Sequence, residues 1–187
     1  DATVTTLDAV KQIYHVGEMC GGSVRGACLQ GSLLRVVERL SPKHLVTAAS
    51  APQIRYPECY GIDMARMGDF VAFRAAIALL KEHGQEDVIQ TVYEKCKAQS
   101  HLADDEVQNF VKEIYEPFDV QEISAKIAEL LTPPEVSAAV TVLYHTIESL
   151  HLIFPTHPGD LYFPGASPPP CVNRVVHMSF LYYRSLR

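Results

Sequence analysis

The stretch Ser50-Ala51-Pro52-Gln53-Ile54-Arg55-Tyr56-Pro57-Glu58-Cys59-Tyr60-Gly61-Ile62-Asp63-Met64 follows directly on a short apolar run, His44 to Ala49. That run is β-leaning and brief, so it predicts a buried strand. Pro52 and Pro57 then keep the chain extended as far as Asp63, because proline fixes its own φ and turns the residue before it away from the helical region. Tyr60-Gly61 marks a turn that needs a small residue. Upstream, Leu33, Leu34, Val36, Val37 and Leu40 give a helix its apolar positions, and Ser41-Pro42 stops it. Ser23 to Gly31 reads as a loop running into that helix. Earlier still, Thr6 can cap a short helix with Leu7, Val10, Ile13 and Tyr14 on its apolar face, and Val16 to Gly22 breaks it.

Two of these stretches resemble one family. Ser50 to Met64 is similar to the "S-A-P-x-I-R-x-P-x-x-Y-G-I-D-M" segment of glutamine-dependent amidophosphoribosyltransferases, a string too long and irregular to arise from composition. Ser23-Val24-Arg25-Gly26-Ala27-Cys28-Leu29 stands about 25 residues upstream, where that family keeps its phosphoribosyl pyrophosphate loop, approximately "V-V-D-D-S-I-V-R-G-T-T-L". The resemblance covers nearly the whole chain and is strongest between Ser23 and Leu80. It implies an α/β fold: part of a type I phosphoribosyltransferase domain with a short parallel-sheet portion, then a mainly helical region and a proline-rich coil.

The same resemblance implies a function. The family's glutaminase domain frees ammonia from glutamine, and the ammonia displaces pyrophosphate from activated ribose to give phosphoribosylamine, the first committed purine precursor. That domain would lie elsewhere in a longer chain, and the activity would be cytoplasmic. Phosphoribosyl pyrophosphate with Mg²⁺ is the implied ligand, and no cofactor is expected to be tightly bound. Ser23, Val24, Arg25, Gly26, Ala27 and Cys28 are the implied phosphate-binding residues, and Arg55, Tyr60, Gly61 and Asp63 the implied site loop. An arginine such as Arg25 or Arg55 serves as often in an ion pair or loop brace as on a phosphate, and Asp63 is the natural partner for Arg55.

The chain departs from the family at the loop. The adjacent acid pair that receives the ribose hydroxyls aligns with Gly21 and Gly22, which have no acceptor side chain. Two threonines align with Ala27 and Cys28, so backbone N–H groups remain for a phosphate while two hydroxyls do not. Val16 to Cys20 is short and glycine-flanked, so the strand expected before the acid pair is predicted to be absent. Weak phosphoribosyl binding follows. A non-catalytic phosphoribosyl-binding regulator and a helical assembly module are the alternatives, and a homo-oligomer is left open.

From Gly68 the texture becomes helical. Phe70, Phe73, Ile77 and Leu80 repeat at three-and-four spacing before Gly84. Val88, Val92 and Cys96 form a second stripe, and Val107, Phe110, Val111 and Ile114 a third. Asp119 with Glu122 predicts a capping box for a helix through Leu131. Thr132, Pro133 and Glu135 predict the start of another, carrying Val136, Val140, Leu143, Ile147 and Leu150. Asp104-Asp105-Glu106 reads as an acidic helix start. Six prolines between Pro155 and Pro170 preclude a regular helix there, and Tyr162 and Phe163 suggest that this coil wraps a surface. The expected divisions are 1–67, 68–154 and a proline-rich extension, 155–187.

Bulk properties exclude several classes. A net charge of −6 and a pI near 5.7 argue against a nucleic-acid surface. No apolar run approaches the roughly 20 residues of a membrane helix. The first residues carry neither the basic nor the apolar part of a signal peptide, and lack Met, as a fragment or processed chain would. Five cysteines, with no C-x-x-C pair, predict reduced thiols rather than a zinc or iron–sulfur site. His145, His151 and His157 are six apart, not at the i, i+4 spacing of a metal-binding helix face.

Overall fold

The computed structural model describes residues 13–17, 34–49, 51–57, 66–153 and 171–186, together with Pro155, Phe163 and Gly165. Ser23 to Cys28, Tyr60, Gly61, Asp63 and Thr6 lie outside the described residues.

The architecture is mixed α/β. Strand β1 (Ile13–Gly17), helix α1 (Leu34–Glu38) and strand β2 (His44–Ala49) come first. β1 runs parallel to β2, with Ile13 beside His44 and Gly17 beside Ala48. This corrects two expectations: Ile13 and Tyr14 belong to a strand rather than a helix, and the strand before the loop is present. Ile13, Tyr14 and Val16 suit a pleated surface, and pairing with β2 sustains a segment too short to announce itself. β2 has the predicted bounds, and α1 ends in a turn at Ser41, whose φ is +51°.

A 3₁₀ turn (Met67–Asp69) leads into α2 (Val71–Glu82) and α3 (Glu86–Ala98), separated at Gly84, where φ is +66°. A side chain at that φ would be strained, which is why glycine closes α2. The third stripe forms only a short 3₁₀ helix (Phe110–Ile114). Asp104 to Glu106 is a turn rather than a helix start, and Asp104 accepts from Arg174 Nε at 2.8 Å. Helix α4 (Val120–Leu131) opens on the predicted capping box: Asp119 accepts from Glu122 N at 2.7 Å, and Glu122 accepts from Asp119 N at 2.8 Å.

The helix expected from Thr132 to Leu150 does not form. Ala139–Tyr144 is instead strand β3, parallel to β2, with His44 beside Ala139 and Ala49 beside Tyr144. Val140, Thr141 and Val142 are β-branched, and pairing along β2 outweighs the three-and-four spacing of the apolar residues. A short helix, α5 (Ile147–Ile153), follows. The C-terminal stretch holds a further helix, α6 (Cys171–Ser185), where only an extension was expected. Among the described residues no helix is long and apolar enough to cross a membrane.

The sheet order is β1-β2-β3. Leu45 pairs with Val140, Thr47 with Val142 and Ala49 with Tyr144, so these six side chains share one face. Leu34 and Val37 of α1 cluster with Leu45, and α2 and α4 join Val142 in the main core. That core centres on Phe70, Phe73, Leu80, Ile123, Ile127 and Phe180, each buried. Full burial of such a side chain contributes about 1.5–3 kcal/mol. Phe180 meets Phe73 edge-on at 6.2 Å, which locks α6 onto α2.

Candidate functional site

Ligands of open parallel sheets bind beyond the strands' carboxyl ends, and although the order β1-β2-β3 has no reversal to part the loops, side chains from those loops form a hollow at that end. Here a crevice of about 520 Å³ opens between the loop after β2 and the residues after β3. Pro52, Gln53, Arg55 and Tyr56 come from the first, and His145, Thr146 and Glu148 from the second. Lys112, Tyr115, Glu116 and Phe118 close one side, and Phe163 reaches in from the C-terminal stretch. Phe163 thus faces the crevice, while Tyr162 and most of the proline-rich coil lie outside the described residues.

The loop after β2 owes its shape to one buried amide. Gln53 donates through Nε2 to Val120 O at 3.0 Å and to Ser124 Oγ at 2.9 Å. Its Oε1 accepts from Arg55 Nε at 3.2 Å and from Nη2 at 2.9 Å. Both amide hydrogens and both oxygen lone pairs are thus occupied, as a side chain with 4% exposure requires. The first turn of α4 thereby fixes the loop. Arg55 also lies over the Tyr115 ring, 5.1 Å from its centroid, and the Tyr115 hydroxyl donates to Arg55 O at 2.7 Å. Tyr56 meets Tyr115 edge-on at 5.5 Å.

Burial pushes both phenols up against the opposing charge of Arg55, with Glu116 adding to the effect on Tyr56 and Tyr56 to that on Tyr115. Both hydroxyls therefore stay protonated, and that of Tyr115 is a donor. His145 Nδ1 lies 2.9 Å from Ser149 Oγ. Among the described residues no three His, Cys, Asp or Glu converge as a metal would need. Cys96 is a free, buried thiol pushed up to about 12 by burial and by Glu113, far from a thiolate nucleophile.

Of the residues singled out in the sequence, Arg55 lies in this crevice. It is braced by Gln53, while Asp63, its expected partner, lies outside the described residues. Gln53, Lys112, Tyr115 and His145 were not anticipated. Gln53 occupies the variable position of the resembled string, Tyr115 falls just beyond an apolar stripe, and His145 carries no spacing signal. Compared with family models, curated proteins and solved structures, the chain matches none.

Proposed function

We propose that the chain is the transferase-domain portion of an amidophosphoribosyltransferase, acting in cytoplasmic purine biosynthesis. The observation that carries this reading is strand β1. It runs parallel to β2, with Gly17 beside Ala48, and stands ahead in sequence of Ser23 to Cys28, the stretch that resembles the phosphoribosyl pyrophosphate loop. A second support is the crevice itself, which offers Arg55 and Lys112 to a phosphate and apolar ring faces to a sugar.

In the reaction the bond from ribose C1 to pyrophosphate breaks, the pyrophosphate leaves with the electron pair, and ammonia forms the new bond at C1. Magnesium would travel with the pyrophosphate and neutralise its developing charge. The chain's own contribution is to grip the phosphate and hold the sugar against the Tyr56–Tyr115 wall. Gly21 and Gly22 leave the ribose hydroxyls without the family's acid pair. Each lost hydrogen bond to a charged group is worth roughly 1.5–3 kcal/mol, so losing two should weaken binding by about two orders of magnitude or more relative to that pair.

Calorimetry with phosphoribosyl pyrophosphate and magnesium, paired with ammonia-dependent release of pyrophosphate, tests the reading. Weak binding with little or no turnover is expected of this chain alone, because the ribose grip is incomplete, and turnover gained when Gly21 and Gly22 become an aspartate pair supports the transferase. Turnover still absent with that pair favours the non-catalytic regulator, and absence of binding removes the phosphoribosyl reading. Replacing Gly21 and Gly22 with aspartate should strengthen magnesium-dependent binding, because β1 supplies the strand needed to hold the acids in place.

A further inference from the structure

Strand β3 is an edge of the sheet, and one hydrogen bond fixes which way its backbone faces. Ala139 N donates across to Lys43 O at 3.1 Å. Successive residues of a strand turn their N–H and C=O to opposite sides, so Ala139, Thr141 and Leu143 face β2. Val140, Val142 and Tyr144 turn theirs outward, and among the described residues nothing meets them. Val142 is 5% exposed, so water has little access to answer its outward groups, and buried backbone groups without partners are costly.

A hollow of about 750 Å³ runs along the same edge. It is lined by each residue from Val140 to Tyr144, hence by side chains of both sheet faces, and by Val120, Ser124, Ala125 and Ala128 of α4. Space that touches both faces of a strand lies beside it rather than over one side. The edge also lacks the usual devices that keep strands apart. Ala139–Tyr144 holds no charge and no proline, and its register with β2 is continuous, without a bulge.

We infer that the open edge of β3 is a dimer interface, where β3 of a second copy of this chain pairs antiparallel about a two-fold axis through Val142. The symmetry of the edge selects this occupant. The outward residues Val140, Val142 and Tyr144 are evenly spaced about Val142. With the axis there, Val142 faces its own counterpart and Val140 faces the partner's Tyr144, so each outward N–H meets a C=O. An axis through Thr141 or Leu143 would carry Tyr144 or Val140 past the end of the other strand. The faces agree as well. Val140 and the partner's Tyr144 both lie on the helix side and enter the hollow against the small side chains of α4. Thr141 stands opposite the partner's Leu143 on the other side.

Charge does not oppose the match. No cross-strand pair sets like charges together. Among the described residues that line the hollow Glu129 alone is charged, and Lys126 Nζ answers it at 2.7 Å. The pairing joins two three-stranded sheets into one. It goes beyond the phosphoribosyl reading and depends on no part of it.

Sedimentation equilibrium of the 187-residue chain tests the inference, with thermal melting to confirm that each variant folds. The unmodified chain should be a dimer that dissociates on dilution. Thr141→Lys alters an exposed side chain and should raise the dimer dissociation constant by about tenfold or more, because it sets a lysine against the partner's Leu143. Adding Leu143→Glu to that variant should bring the constant back toward the unmodified value, since each lysine then faces a carboxylate. Val140→Pro removes an outward N–H that β2 does not use, and should weaken the dimer by about tenfold or more.

A chain that is monomeric even at about 0.1 mM overturns the inference. So does a dimer that Thr141→Lys and Val140→Pro both leave unchanged; if the proline variant does not fold, Thr141→Lys decides alone. No recovery on adding Leu143→Glu overturns the axis through Val142. Open-ended polymers would mean that β3 meets the β1 edge of the next copy, which overturns the two-fold pairing. A monomer that binds an unrelated strand-forming peptide at β3 would put a foreign strand there and overturn the second copy.

Discussion

His177 sits in α6 with 1% exposure, and neither ring nitrogen has a hydrogen-bond partner among the described residues. Burial holds its pKa below the ordinary 6.5, and Arg174, one turn earlier, pushes in the same direction. In the unfolded chain the ring takes up a proton at about 6.5, before the folded chain does. The neutral ring's contribution is therefore fully present above that pH and is lost as the pH falls below it. The thermal midpoint should drop on acidification from about pH 7.5 to about pH 5.5. His177→Leu should remove part of that slope. An identical slope in the variant would show that carboxylates elsewhere control it. No sequence signal marks this histidine: it is one of eight, and only packing separates it from the rest. Gln53 is similar, since its role depends on α4, more than sixty residues away along the chain. Arg55 was visible because it belongs to a distinctive string.

At the level of elements, local rules succeeded where local chemistry decides. The capping box at Asp119 and Glu122 is written into four consecutive residues, and the glycine stop at Gly84 into one. Asp119→Ala should cost about 1 kcal/mol, seen as a lower denaturation midpoint. Local rules failed at β3, because Val136, Val140, Leu143, Ile147 and Leu150 satisfy helical spacing while Ala139 to Tyr144 also suits a strand. Only the partner strand β2 resolves that ambiguity, and it lies far upstream. For α6, the prolines before it obscured a helix whose buried residues, Val172, Val176 and Phe180, repeat at i, i+4, i+8. Phe180→Ala should cost about 3–5 kcal/mol, because its ring fills the core beside Phe73. A change within about 0.5 kcal/mol would make α6 a dispensable tail.

Across the whole molecule, the three strands step in one direction, β1 to β2 to β3. Crossovers between parallel strands are almost always right-handed, so successive crossovers in one direction place their helices on a single face. The helices α1 and α4 accordingly share the Leu45 and Val142 face, with α2 packed on α4. The opposite face carries His44, Val46, Ala48, Ala139, Thr141 and Leu143, with Leu143 52% exposed. Parallel sheets ordinarily bury both faces, and an exposed leucine beside Val46 and Ala48 on such a face favours aggregation. Leu143→Lys should raise the temperature at which light scattering appears, with little change in the unfolding midpoint. An earlier onset of scattering would count against an uncovered face. Local patterns do not carry this asymmetry, because the apolar spacing across β3 suits a helix and β1 is too short to signal itself, and both are needed to define the sheet's direction.

The pairing of β2 with β3 also has a consequence for synthesis. Roughly ninety residues separate Ala49 from Ala139. A ribosome working at about 5–20 residues per second needs roughly 5–20 seconds to deliver the second strand after the first. During that interval β2 has its neighbour β1 on one side only, while its other edge stands unpaired on the nascent chain. An open strand edge is a template for the wrong partner. The helices α2, α3 and α4 emerge in this window and can pack first, since their contacts are closer along the chain. Chaperone demand should therefore be greatest after Ala49 has left the exit tunnel and before Tyr144 does.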